Sequence, residues 1–149
     1  EAIKLLEENI RLNRVKNVYP HFGDAREISL KLAEEERFQR VIMNLPHSAL
    51  EFLETALLCV GNGTIHIYDI AEKEEMDEHR VRILRAAEKA GRTVSSLKTT
   101  ELKGYSPSES MFVHDLQINS GQKVMYRESN EKNEGRAMTE KERKLWGKT

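Results

Sequence analysis

Two short apolar runs, residues 38–43 and 64–70, each give way to a stretch of helical period, and this order constrains the fold more than any other feature. Phe38-Gln39-Arg40-Val41-Ile42-Met43 reads as a buried strand stopped by Asn44-Leu45-Pro46. Residues 48–60 then place Leu50, Phe52, Leu53, Leu57 and Leu58 on an amphipathic helix, with Pro46 just ahead of it, where proline is tolerated. Gly61-Asn62-Gly63 supplies a helix stop and a turn. Thr64-Ile65-His66-Ile67-Tyr68-Asp69-Ile70 is β-branched and aromatic, a strand, and residues 72–90 form a long charged helix closed by Gly91.

The flanking segments extend the pattern. Ile3, Leu6 and Ile10 recur at helical spacing, so residues 1–12 read as a helix that ends near Asn13–Asn17. Val18-Tyr19-Pro20-His21-Phe22 reads as an edge strand, its proline unsuited to a central ladder. Residues 28–36 are charged and weakly helical, a solvated loop or short helix. Residues 93–102 and 110–118 read as two strands joined through Gly104-Tyr105-Ser106-Pro107, an antiparallel hairpin. The whole implies an α/β fold: a mostly parallel sheet with helices on both faces and a C-terminal antiparallel hairpin closing one edge. Residues 1–119 make one domain. Residues 120–149, rich in Lys, Glu, Asn and Arg with a lone Trp146, read as a charged disordered tail with a transient helix over 139–145.

Composition removes several functional classes. The formal charge of −1 over 149 residues offers no global basic field for nucleic acid, so any such binding needs a local patch. The single cysteine, Cys59, sits in an apolar run and reads as a buried inert thiol. No apolar stretch approaches the ~20 residues of a membrane span, and no His/Cys spacing suggests a metal site. There is no Gly-x-Gly-x-x-Gly, no phosphate loop and no Gly-x-Ser-x-Gly elbow.

In α/β sheets ligands bind beyond the carboxyl ends of the strands, which singles out Gly23-Asp24, Asn44-Leu45-Pro46 and Tyr68-Asp69. An amide at position 44 offers donors and an acceptor and can read the edge of a planar base, aimed by the adjoining proline. Asn44 capping the next helix fits these residues equally well. Asp24 can accept from an adenine amino group, or it can simply belong to a Gly-Asp turn. His66 and Tyr68 share a strand face, where packed, hydrogen-bonded side chains are the ordinary outcome.

In order and spacing, several segments together resemble the archaeal and eukaryotic tRNA (guanine-N1)-methyltransferases that modify the guanine beside the anticodon. They are Ala2-Ile3-Lys4-Leu5-Leu6-Glu7-Glu8-Asn9-Ile10-Arg11-Leu12-Asn13, Gly23-Asp24-Ala25-Arg26-Glu27, Arg40-Val41-Ile42-Met43-Asn44-Leu45-Pro46, Ile65-His66-Ile67-Tyr68-Asp69 and Lys103-Gly104-Tyr105-Ser106-Pro107. The resemblance implies a class I methyltransferase (Rossmann-like) fold with S-adenosylmethionine as cofactor and tRNA as partner, in the cytoplasm. It implies that Asp24, Ala25 and Asn44 contact the cofactor. Asn44 and Pro46 would hold the target guanine as catalytic residues, and Tyr105, Ser106 and Pro107 would face the RNA. It also implies that the glycine-rich turn, the acidic strand end that holds the cofactor ribose, the glutamate proton acceptor and the first two parallel strands all lie upstream of Glu1. The chain alone is then expected to be inactive. Besides a methyltransferase acting on another base or on protein, two other readings stand beside this one. One is a sibling enzyme that moves the aminocarboxypropyl group of the same cofactor onto a modified guanine. The other is a non-catalytic α/β module completed by a partner chain. The Asn44-Leu45-Pro46 triplet favours methyl transfer.

Overall fold

The computed structural model describes residues 1–119, so the charged tail, Trp146 and the expected helix over 139–145 lie outside the described residues. The elements are α1 (Ala2–Leu12), α2 (Ala25–Glu35), β1 (Phe38–Met43), a 3-10 turn (Ala49–Phe52) leading into α3 (Leu53–Cys59), β2 (Val60–Glu72), α4 (Met76–Lys89), β3 (Thr93–Gly104) and β4 (Glu109–Asn119). The four strands form one sheet in the order β1-β2-β4-β3. The hairpin is as the sequence suggests, with β4 inserted between β2 and β3.

Among the described residues the sheet is mixed, which corrects the expectation of a mostly parallel one. Only β1 and β2 run parallel; β2 with β4 and β3 with β4 are antiparallel. The cause is the short turn after β3. It can return the chain only antiparallel, whereas a parallel neighbour needs a crossover such as α3 or α4 provides. Helices α3 and α4 cover one face. Leu53 and Leu57 of α3 and Ile83 and Ala87 of α4 join Ile65, Ile67, Leu116 and Ile118 in one buried cluster. Thr64, His66 and Tyr68 point to the other face, where Thr64 Oγ1 donates to Gln117 Oε1 (2.9 Å) and His66 Nδ1 lies 2.6 Å from Asp115 Oδ1. That face is half-exposed and mixed in character, with Ile42 beside His66 standing 64% exposed.

Residues 18–22 form no strand. A strand is held by its ladder, and none of the four strands pairs with this segment; Tyr19 and Phe22 stand 77% and 87% exposed. Residues 25–35, in contrast, form three full helical turns. The signal is Asp24, whose Oδ1 accepts the Arg26 N–H at 2.7 Å, with Glu27 in the first turn to complement the helix dipole.

The expected turn at Gly61-Asn62-Gly63 is instead the start of β2. Phe38 pairs with Val60 and Arg40 with Thr64, so β2 carries two extra residues here, a bulge opposite Gln39. Gly63 packs directly on the Gln39 backbone, and the Arg92 guanidinium holds the Val60 and Gly61 carbonyls at 2.8 and 2.6 Å. The glycines mark a close strand approach, not a reversal.

Candidate functional site

The carboxyl end of β1 is the centre of the site. Met43 makes the last parallel register pair, with Ile67, and the chain then leaves the sheet as Asn44-Leu45-Pro46. The loop is pinned on both sides. Ser48 N–H donates to Leu45 C=O at 2.9 Å, and Ile70 N–H donates to Pro46 C=O at 3.3 Å. The N-cap of the following turn is Ser48, so Asn44 does not cap it. Asn44 is exposed, and among the described residues nothing takes up its amide. An amide held at a strand end with its donors and acceptor unused can recognise a planar heterocycle edge-on.

Asp24 and Ala25 reach the same end of the molecule. Helix α2 runs back along the domain before the two-residue link to β1, so its first turn lies near where β1 finishes. The Arg26 guanidinium stacks over the Phe52 ring at 4.0 Å, tying that first turn to the segment after Pro46. The helix-cap role of Asp24 is realised, and Ala25 is the first helical residue behind it. The cap uses one oxygen, Arg26 Nη1 stands 4.0 Å from the other, and the side chain is half-exposed, so acceptor capacity remains. Gly23 ahead of it takes φ 146°, a conformation open to glycine and strained for other residues.

The hairpin turn arrives from the far edge of the sheet. Tyr105 is exposed and meets His47 edge-on, ring centroids 5.6 Å apart, with Oη 3.5 Å from His47 Nε2. His47 follows Pro46, so the structure brings the Tyr105 turn to the Asn44-Leu45-Pro46 loop. Within the turn the three residues differ. Ser106 is half-buried and its hydroxyl is engaged with Glu109, donating to Oε2 at 3.0 Å and accepting the Glu109 N–H at 3.1 Å. Ser106 holds the turn together, leaving Tyr105 and Pro107 as its exposed surface.

The sequence reading passed over a buried polar cluster beside this loop. Asp69 is 4% exposed and its Oδ2 lies 2.5 Å from His79 Nδ1 of α4 and 3.3 Å from His114 Nε2 of β4. A carboxylate only accepts, so both facing ring nitrogens carry protons. The other His114 nitrogen, Nδ1, lies 2.9 Å from Thr99 Oγ1. The signal was present: Asp69 continues the buried phase of Ile65 and Ile67, and His114 lies between Phe112 and Leu116. Polar residues in phase with core positions require partners.

Burial pushes the Asp69 carboxyl up, but hydrogen bonds from His114 and His79, with the charges of those rings, outweigh it and hold it below the ordinary value. The unfolded carboxylate titrates near ~3.9. The stabilisation is therefore complete above that pH and is lost as pH falls through the lower folded value. Asp69→Asn is expected to lower stability at neutral pH by roughly 1.5–3 kcal/mol, the worth of hydrogen bonds to a charged group. It should also flatten the acid limb below about pH 4, which urea titrations across pH would measure. Elsewhere, burial raises the Cys59 thiol against the opposing charge of Arg37, consistent with an inert side chain. Among the described residues no three His, Cys, Asp or Glu side chains gather as metal ligands, and no helix is long and apolar enough to cross a membrane.

The chain is 41% identical over 119 residues to the tRNA (guanine(37)-N(1))-methyltransferase Trm5b of Pyrococcus abyssi, covering 78% of this chain and 34% of that protein. The crystal structure of the wild-type P. abyssi protein superposes with a TM-score of 0.69 over 78% of this chain. A tRNA(Phe) (4-demethylwyosine(37)-C(7)) aminocarboxypropyltransferase of Methanocaldococcus jannaschii is 32% identical, matching 71% of this chain and 42% of its own length. The structure of aTrm5 with tRNALeu superposes with a TM-score of 0.62 at 32% identity, over 79% of this chain and 32% of that one. The chain thus spans about a third of the length of the methyltransferases it matches. The model of the TRM5/TYW2 methyltransferase domain matches residues 1–95, across both the Asp24 and the Asn44 segments, and the chain belongs to that family.

Proposed function

We propose that the full-length protein transfers a methyl group from S-adenosylmethionine to N1 of the guanine beside the tRNA anticodon. This chain contributes the target-base pocket and part of the cofactor site. The observation that carries the reading is Asn44: an exposed, unengaged amide at the carboxyl end of a parallel strand, fixed by Pro46. S-adenosylmethionine supplies an electrophilic methyl whose bond to sulfur breaks as the bond to N1 forms. The N1 proton must leave, and negative charge then spreads onto the guanine O6. Asn44 donates to that edge and keeps the ring in line, while Pro46 fixes the loop against the base. We assign no proton acceptor within this chain. Tyr105 and Pro107 present the exposed turn to the RNA. With tRNA as substrate, the cytoplasm is the compartment we assign.

Asp24 fits an adenine amino group, because its carboxylate retains acceptor capacity beyond the helix cap. Asp24→Ser keeps a capping hydroxyl and removes the carboxylate. It is expected to leave the melting temperature near wild type and to weaken S-adenosylmethionine binding roughly tenfold or more, as loss of a charge-assisted bond implies. Calorimetric titration of the full-length protein measures it.

The function itself is tested by incubating the full-length protein with methyl-labelled S-adenosylmethionine and a tRNA transcript carrying guanine beside the anticodon. Label in 1-methylguanosine, and none in a transcript with adenine there, is the expected result. Label on another atom or none at all overturns it. The sibling reading is separated by the nucleoside mass, since an aminocarboxypropyl group is far heavier than a methyl.

A further inference from the structure

Beyond Ile67, β2 loses β1 as a neighbour and runs on to Glu72 with β4 on one side. On its other side stands the Asn44-Leu45-Pro46 loop, joined to β2 by the Ile70 N–H to Pro46 C=O bond. What fixes this overhanging end of β2 therefore fixes the loop. The adjacent residue, Asp69, is anchored by three other elements: α4 through His79, β4 through His114 and, by way of that ring, β3 through Thr99. Within the cluster Asp69 and His114 are buried and His79 is partly so.

We propose that Asp69, with His79 and His114, is a positioning residue for methyl transfer: it sets where Asn44 and Pro46 stand by holding the Ile70–Pro46 bond in place. This rests on the proposed function, which makes Asn44 and Pro46 the base-holding residues. Asp69 touches no substrate. Removing its side chain releases two imidazoles and frees the β2 end to shift, and the loop shifts with it. A displacement of about 1 Å at a reacting geometry can lower a rate on the order of 10²-fold.

The test compares Asp69→Ala, the milder His79→Gln and a control, Val94→Ala, in the full-length protein. Val94 is a buried β3 residue of the apolar core, outside the cluster, so its truncation loosens packing alone. Two quantities are read at a temperature where all variants are folded: hydrogen exchange at the Ile70 amide, and kcat against KM. In Asp69→Ala the Ile70 amide is expected to exchange at least tenfold faster. Its kcat should fall on the order of 10²-fold with KM for tRNA and S-adenosylmethionine nearly unchanged. His79→Gln should move both readouts the same way but less, and Val94→Ala should move neither. Unchanged Ile70 exchange in folded Asp69→Ala overturns the inference. So does an equal fall in kcat in Val94→Ala, which would make the effect one of general stability. If Ile70 exchange responds as expected but the wild type methylates no guanine, the functional reading falls and the structural coupling stands.

Discussion

Gly63→Val in the full-length protein is expected to abolish the cooperative unfolding transition of this domain, and Gly63→Ala to lower its denaturant midpoint sharply. A Cβ at position 63 would overlap the Gln39 carbonyl oxygen and lie 2.9 Å from Gln39 Cα. These are backbone atoms of the paired strand. They cannot rotate away as the end of a flexible side chain can. Relief requires β1 and β2 to part at the bulge between Phe38 and Arg40, and this is the sheet's one parallel ladder among the described residues. Overpacking of one methyl in a tight interior costs about 1–3 kcal/mol. Valine adds two further methyls against the same backbone, and a domain holds only about 5–15 kcal/mol in reserve. Gly61 is the internal control. Its Cβ would stand 3.4 Å from the Arg37 Cβ, an ordinary contact, so Gly61→Ala should change the midpoint little. Urea unfolding of the three variants decides the matter, and a Gly63→Ala midpoint equal to wild type would show the strand approach to be looser than drawn.

The same glycine shows where sequence reasoning lost the structure. Gly61-Asn62-Gly63 is turn chemistry by composition, and nothing local says that a glycine there serves a neighbouring strand. The distinction lies in Gln39, some twenty residues away, and a close approach between segments leaves no trace in either one alone. Val18-Tyr19-Pro20-His21-Phe22 failed for a related reason. Its residues suit a strand, but a strand also needs a partner, and the described sheet offers none. Elements whose stability is mostly local were legible. The hydrophobic period of α4 and its closing Gly91 placed that helix within a few residues, and the alternation in residues 110–118 gave β4. For the site, the residues after each strand were the right places to look, because the crevice follows from the α/β order. The roles were divisible only in three dimensions: Asp24 caps its helix, whereas Asn44 lies outside the N-cap position, which Ser48 occupies. The Asp69 cluster was hidden because its four members come from four elements, although the phase of Asp69 and His114 marked both as buried.

Asn44→Ala in the full-length protein is expected to lower kcat for guanine methylation by roughly 10²–10³-fold, the usual loss when one preorganised donor to developing charge is removed. The fold should survive. Asn44 is exposed, it caps no helix, and among the described residues its amide supports no neighbour, so truncation leaves no buried group unpaired. Surface changes of this kind move stability by about 0.5 kcal/mol or less. A large kinetic effect with an unchanged melting temperature therefore separates a chemical role from a structural one. The split between constants says more. If Asn44 bonds the base edge chiefly as O6 gains charge, kcat and kcat/KM fall together while KM for tRNA stays near wild type. If it merely holds the ground-state base, KM rises and kcat is retained. Asn44→Asp sharpens the comparison. The carboxylate keeps the size of the amide but is acceptor-only, and it faces an edge that becomes more negative. It should be at least as impaired as alanine, because repulsion is added to the lost donor. Single-turnover methylation with saturating S-adenosylmethionine measures the chemical step free of product release. Activity near wild type in Asn44→Ala, with the protein folded, would remove Asn44 from the pocket and the Asn44-Leu45-Pro46 loop from the mechanism.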